Sequence, residues 1–170
     1  MLKGSFVDLI TPFKNNEIDY NALENLLNFH LKNKTDGVLL CSNTGESSSL
    51  AEDEKERFVR FCVRKIQNKI PIIVETGTNN LHHTISATVK AKNWGADYVQ
   101  IVTPYFIQPD QNGLFEYFRI ISEKTELPII IYNCPQRTGV NIETETILKL
   151  AKYQSKIIGL NDDRGNFEQV

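Results

Sequence analysis

The chain has 170 residues, 41% of them hydrophobic and 24% charged, the make-up of a folded globular protein, which excludes a disordered tail or a fibrous repeat. Nineteen basic residues stand against twenty-one acidic ones, a net charge of -2 with no long run of either sign, so no nucleic-acid partner is expected. No stretch reaches the roughly 20 apolar residues of a membrane span, and Lys3 and Asp8 interrupt the start too early for a signal peptide; the expectation is a cytoplasmic protein without a membrane partner.

In chain order, a first strand is predicted over residues 4–10, with Asp8 its only charge. Residues 20–33 follow with helical period, Leu23, Leu26, Leu27, His30 and Leu31 forming one stripe. A strand over 36–41 precedes a helix over 51–68, whose start is read from Ser49 and Glu52, a hydroxyl and a carboxylate at capping-box spacing. Then come strand 70–75, helix 81–94, strand 97–103, helix 114–123, strand 127–132, helix 144–153 and a sixth strand over 157–160. Runs such as Ile72-Ile73-Val74 and Ile129-Ile130-Ile131 are apolar at successive positions, as in a parallel sheet covered on both faces. Gly37, Gly95 and Asn68-Lys69 mark the expected turns from helix to strand.

Successive strands start about 30 residues apart, one βα unit per step. That gives five βα units and a sixth strand with no linker between them, a single domain over 1–170. Polar clusters follow nearly every strand: Thr11-Pro12, Ser42 through Ser47, Thr76 through Asn79, Thr103 through Phe106, Asn133 through Gly139, and Asn161 through Asp163. A ring of such strand ends fits a barrel, whereas a nucleotide-binding open sheet would gather its glycines at the first turn, and Gly4 precedes the first strand. A complete barrel runs to about 250 residues. The fold class expected is therefore α/β, an incomplete TIM (β/α)8 barrel whose C-terminal units are absent.

Taken alone, several residues invite chemistry that their surroundings do not support. The three cysteines, Cys41, Cys62 and Cys134, are odd in number and far apart, so they read as small core residues rather than disulfides or metal ligands. His82 and His83 are adjacent and point apart on a helix, with no third ligand in register; no metal site is expected. His30 lies on an apolar stripe and reads as a packed histidine, Trp94 as a core or interface anchor, and Glu46 as a backbone-bonding carboxylate heading toward a helix.

The strand ends together resemble the dihydrodipicolinate synthase family of pyruvate-dependent class I aldolases, also called 4-hydroxy-tetrahydrodipicolinate synthases, to which N-acetylneuraminate lyases are related. The residues that carry the resemblance are Gly4-Ser5 with Thr11-Pro12-Phe13, Asn43-Thr44-Gly45-Glu46-Ser47, Gly77-Thr78-Asn79-Asn80, Thr103-Pro104-Tyr105, Tyr132 through Gly139, and Ile157-Ile158-Gly159-Leu160. Six segments in order cover the whole chain, and Arg137 in Gln136-Arg137-Thr138-Gly139 favours the synthase branch.

The resemblance implies condensation of pyruvate with aspartate semialdehyde on the diaminopimelate route to lysine, with no cofactor. A strand-end lysine would form a Schiff base with pyruvate, and one threonine and two tyrosines would relay protons. Asn161 stands at the lysine position. Asn43 stands at the relay threonine and Phe106 at the relay tyrosine that the family offers across a subunit interface, while Tyr132 is the retained relay position. Thr44 and Gly45 correspond to the turn that holds pyruvate's carboxylate, and Arg137 to the holder of the second substrate's carboxylate. Lys156 is expected at the other end of its strand and, by odd spacing, on the other face. The expectation is a truncated, catalytically impaired relative. The alternatives are a binding module for pyruvate or a similar small carboxylate, a partner in a homo-oligomer or with an intact homologue, and an active aldolase using an unidentified nucleophile.

Overall fold

The computed structural model describes residues 2–165, which fall into two compact units: residues 2–75 with 93–97, and residues 76–92 with 98–165. In the first, β1 (Phe6–Asp8) leads through a two-rung hairpin, β2 (Phe13–Lys14) and β3 (Glu17–Ile18), to α1 (Tyr20–Lys32), β4 (Gly37–Leu40), a 3-10 turn at Ser47–Ser49, α2 (Glu52–Ile66) and β5 (Ile72–Glu75). β4 lies parallel between β1 and β5, with Val7 beside Val38 and Leu39 beside Ile73. Leu23 and Leu27 of α1, Phe58, Val59, Cys62 and Ile66 of α2, and Val38, Leu40 and Val74 of the strands form its buried apolar set.

The helix starts follow local chemistry. Asp19 caps α1 by accepting from the N–H groups of Asn21 and Ala22, both at 3.0 Å. α2 begins two residues later than the Ser49–Glu52 pattern predicts: the 3-10 turn takes up Ser49, and Glu54 reaches back to the N–H of Ala51 at 2.8 Å. Three acids in its first turn and Arg64 and Lys65 in its last complement the helix dipole. Gly37 does not end α1; it belongs to β4, where a Cβ would meet the Phe6 ring at 2.2 Å. The chain leaves α1 through Lys34 at φ +57°.

In the second unit, α3 (Leu81–Trp94) contributes all but its last two residues, followed by β6 (Tyr98–Val102), α4 (Gln111–Lys124), β7 (Ile129–Asn133), a one-turn α5 (Pro135–Thr138), α6 (Thr144–Tyr153) and β8 (Ile157–Asp162). β7 lies parallel between β6 and β8. Alternation separates the two faces of these strands: Val99, Ile101, Ile129 and Ile131 are wholly buried, while Gln100, Val102, Ile130 and Tyr132 share the other face. Asp110 caps α4 through the N–H of Gly113 at 2.7 Å, which starts that helix three residues before the predicted 114. Asn80 similarly receives the N–H of His83 at the start of α3.

β8 contains an irregularity that the alternation count misses. Ile157 pairs with Ile129 but Gly159 pairs with Ile130, so Ile158 is an extra residue, and Asn161 comes to lie beside Tyr132. The odd-spacing argument for Lys156 therefore does not hold across this stretch. What keeps Lys156 from the strand ends is bonding: its ammonium donates to the carbonyls of Ser122, at 2.9 Å, and Thr125, capping the C-terminal end of α4.

Candidate active site

The strand ends of the first unit form a tight turn after β4. Cys41 at φ +56° and Glu46 at φ +54° bracket Ser42 through Gly45, both in the left-handed region that reverses the chain quickly. The Glu46 and Ser47 N–H groups donate to the carbonyls of Asn43 and Ser42, each at 3.1 Å. The Thr11 hydroxyl donates to the Gly45 carbonyl at 2.7 Å. A Cβ on Gly45 would stand 2.9 Å from the Leu9 carbonyl, so this position is closed to side chains. Asn43 and Thr44 are exposed at the tip and Gly45 is buried beneath them. Asp8 accepts a hydrogen bond from Ser42, which sets a carboxylate beside the turn. Its one sequence signal was a charge in an otherwise apolar strand.

In the second unit, the register of β7 and β8 sets Tyr132 and Asn161 side by side. The Asn161 Nδ2 donates to Oε1 of Gln100 at 2.9 Å, reaching past β7 to β6, and the Tyr132 hydroxyl donates to Asp163 at 3.3 Å. Asn161 is exposed, Tyr132 half-buried, and Gln100 buried. Arg137 sits on α5, a turn made by Pro135 at its start and Gly139 at φ +71° after its end. Its guanidinium is exposed and has no partner among the described residues. Phe106 is 88% exposed at φ +72° in the loop after β6.

Buried polar groups hold this loop system. Asn133, fully buried, donates through Nδ2 to Asn141 at 3.0 Å and Asp162 at 3.4 Å, and its Oδ1 accepts the N–H of Ile142 at 3.2 Å. The buried Thr138 hydroxyl accepts from the Thr103 hydroxyl at 3.3 Å and from the Val140 N–H at 3.2 Å. Asp162 pairs with Arg164, and that guanidinium holds its carboxyl below the usual carboxylate range. Gln100 falls in none of the six segments that carry the resemblance, and Asn133 falls within the segment from Tyr132 to Gly139 with no role assigned to it. A glutamine inside Tyr98-Val99-Gln100-Ile101-Val102 was the available signal for the first, because a polar side chain in a strand covered on both faces needs a partner.

The three cysteines are buried, and burial pushes the Cys41 thiol up to about 12. Among the described residues no cluster of three potential metal ligands occurs, and no helix is long and apolar enough to cross a membrane.

The Dihydrodipicolinate synthetase family model matches residues 1–170. The 4-hydroxy-tetrahydrodipicolinate synthase of Aquifex aeolicus is 42% identical over 170 residues, which are 100% of this chain and 58% of that protein. The Coxiella burnetii synthase is 43% identical over 171 residues, 59% of its length. Among solved structures, the Aquifex aeolicus dihydrodipicolinate synthase superposes with a TM-score of 0.95 over 99% of this chain and 57% of that one, and the Thermotoga maritima dihydrodipicolinate synthase with 0.98 at 37% identity over the same shares. The chain thus spans about 58% of the length of the curated relatives it matches, and its fold is an incomplete TIM-like barrel.

Proposed function

The chain belongs to the dihydrodipicolinate synthetase family, and from that premise we propose that it is a catalytically impaired form, one that engages a small keto acid such as pyruvate without a covalent intermediate. One observation carries the reading. Asn161, at the position where the resemblance implies the Schiff-base lysine, is a carboxamide bonded to Gln100 at 2.9 Å. A carboxamide nitrogen shares its lone pair with its carbonyl and does not add to a ketone, so the electron sink that would let the keto acid's methyl lose a proton never forms. Two hydroxyls of the implied relay are also missing, at Asn43 and Phe106, which leaves Tyr132.

The groups that support binding are unchanged in kind. In the first unit the turn through Thr44 and Gly45 offers a closely packed backbone suited to a carboxylate, and in the second Arg137 is exposed with no partner among the described residues, able to take a carboxylate as a fork. Asp8 beside the turn opposes an anion there, so weak binding is the expected outcome.

The test incubates the full chain with pyruvate and borohydride and reads intact mass, beside calorimetric titration with pyruvate. Expected are no adduct and a weak binding heat. A stable adduct on any lysine overturns the impaired reading; no heat at millimolar pyruvate overturns the binding one.

A further inference from the structure

We infer that Gln100 is a positioning residue that dictates what a group at position 161 can do, and that it matches a hydrogen-bond donor there in its protonated state. The inference rests on the proposed function in one respect, that position 161 is where a keto acid's carbonyl would be met. Gln100 is 3% exposed, in a strand whose other buried members are valine and isoleucine. A carboxamide in such a place is costly unless its polar atoms are bonded. Register holds Gln100 beside Ile130 and Asn161 beside Tyr132, so the 2.9 Å bond runs diagonally across the face of β7 and fixes Oε1 as an acceptor aimed at residue 161.

An acceptor so fixed suits an amide N–H. It suits an ammonium better, because hydrogen bonds to charged donors are the stronger kind. A nucleophilic amine must instead be unprotonated. Gln100 thus opposes the reactive form of any amine put at 161, and an apolar residue in its place would favour that form through desolvation. The other groups around the position act in known directions. On β7 the neighbour is the Tyr132 phenol; after β8 comes the Asp163 carboxylate bonded to it, which also favours an ammonium. Asp162 and Arg164 neutralise one another, and Asp162 bonds Asn133, a strand position away from the Tyr132 face. The charged residues of α6, which packs against β8, are Glu145, Lys149 and Lys152, none of them bonded to Asn161 among the described residues.

The experiment compares N161K, N161K/Q100L and N161K/Q100E in the full chain with lysine labelled at Cε, and titrates the added lysine signal by NMR. The expected result is a midpoint about one pH unit, or tenfold in acidity, lower with Q100L than in N161K alone, and about one unit higher with Q100E. Borohydride trapping of pyruvate should follow the same order of midpoints. Q100E preserves the shape of the side chain, so it supplies the comparison even where Q100L does not fold. Equal midpoints in N161K and N161K/Q100E would overturn the inference. An adduct on the unsubstituted chain would overturn the proposed function, and the titration midpoints would still decide the role of Gln100.

Discussion

Replacing Asn133 with alanine should loosen the loop that carries Arg137. The side chain supplies two donor contacts, to Asn141 at 3.0 Å and Asp162 at 3.4 Å, and accepts the Ile142 N–H at 3.2 Å. Alanine removes all three and leaves the Ile142 N–H without its partner, next to an isoleucine side chain that is wholly buried. An orphaned buried donor costs about 1–3 kcal/mol and each lost bond nets about 1 kcal/mol, so N133A should lower stability by about 3 kcal/mol, a large share of what a domain has. Urea unfolding at neutral pH should show the loss as a lower midpoint at an unchanged slope. Amide exchange should accelerate at Val140 and Ile142. N133D keeps the acceptor for Ile142 but sets a second carboxylate against Asp162, so its defect should shrink as the pH falls through the carboxylate range. A loss under about 1 kcal/mol in N133A, with the Ile142 amide as protected as before, would refute the assignment of Asn133 as the loop's anchor.

Three further outcomes are expected. Lys156→Met keeps the aliphatic stem but strips the cation from the Ser122 and Thr125 carbonyls, and should cost about 1 kcal/mol, read as a fall of a few degrees in the thermal midpoint; an unchanged midpoint would speak against the cap. Asp162 has a folded-state carboxyl held down by Arg164, so its contribution is fully present above the unfolded value near 3.9 and is lost as pH falls through the lower folded value; acid unfolding followed by circular dichroism should be less steep in D162N. Cys41, Cys62 and Cys134 are buried, so an aromatic disulfide reagent at pH 8 should titrate none of them quickly in the native chain and all three in urea.

The βα series could be read from sequence because its signals are local and repeated. Apolar runs such as Ile129-Ile130-Ile131 and the stripe of α1 report burial through their period alone, and α3 and α6 begin and end where periodicity places them. What escaped depends on contacts between distant residues. The hairpin at Phe13–Ile18 has strands of two residues each, too short to show alternation. The start of α2 turned on whether Ser49 was needed by a 3-10 turn, and Gly37 looked like a helix stop until its neighbour across the sheet, Phe6, gave the reason for a missing side chain. At the candidate site, the family resemblance assigns roles to Asn161, Tyr132 and Arg137, but gives none to Asn133, which its segments contain, or to Gln100, which they do not, because the importance of both lies in hydrogen bonds to partners many residues away. Lys156 shows the same limit, since counting residues along a strand assumes a regular ladder.

The extra residue at Ile158 makes the site depend on how many residues precede it as well as on which ones they are. With an unbroken ladder from Ile129 and Ile157, Leu160 would stand beside Tyr132 and the Asn161 amide would turn to the opposite face. The spacing of this short segment therefore acts as a reading frame for side chains. Loss of one codon at Ile158, by contrast, would close the irregularity into an unbroken ladder and leave Asn161 beside Tyr132, so a deletion at that point is absorbed where it occurs and the group presented at the strand end is unchanged.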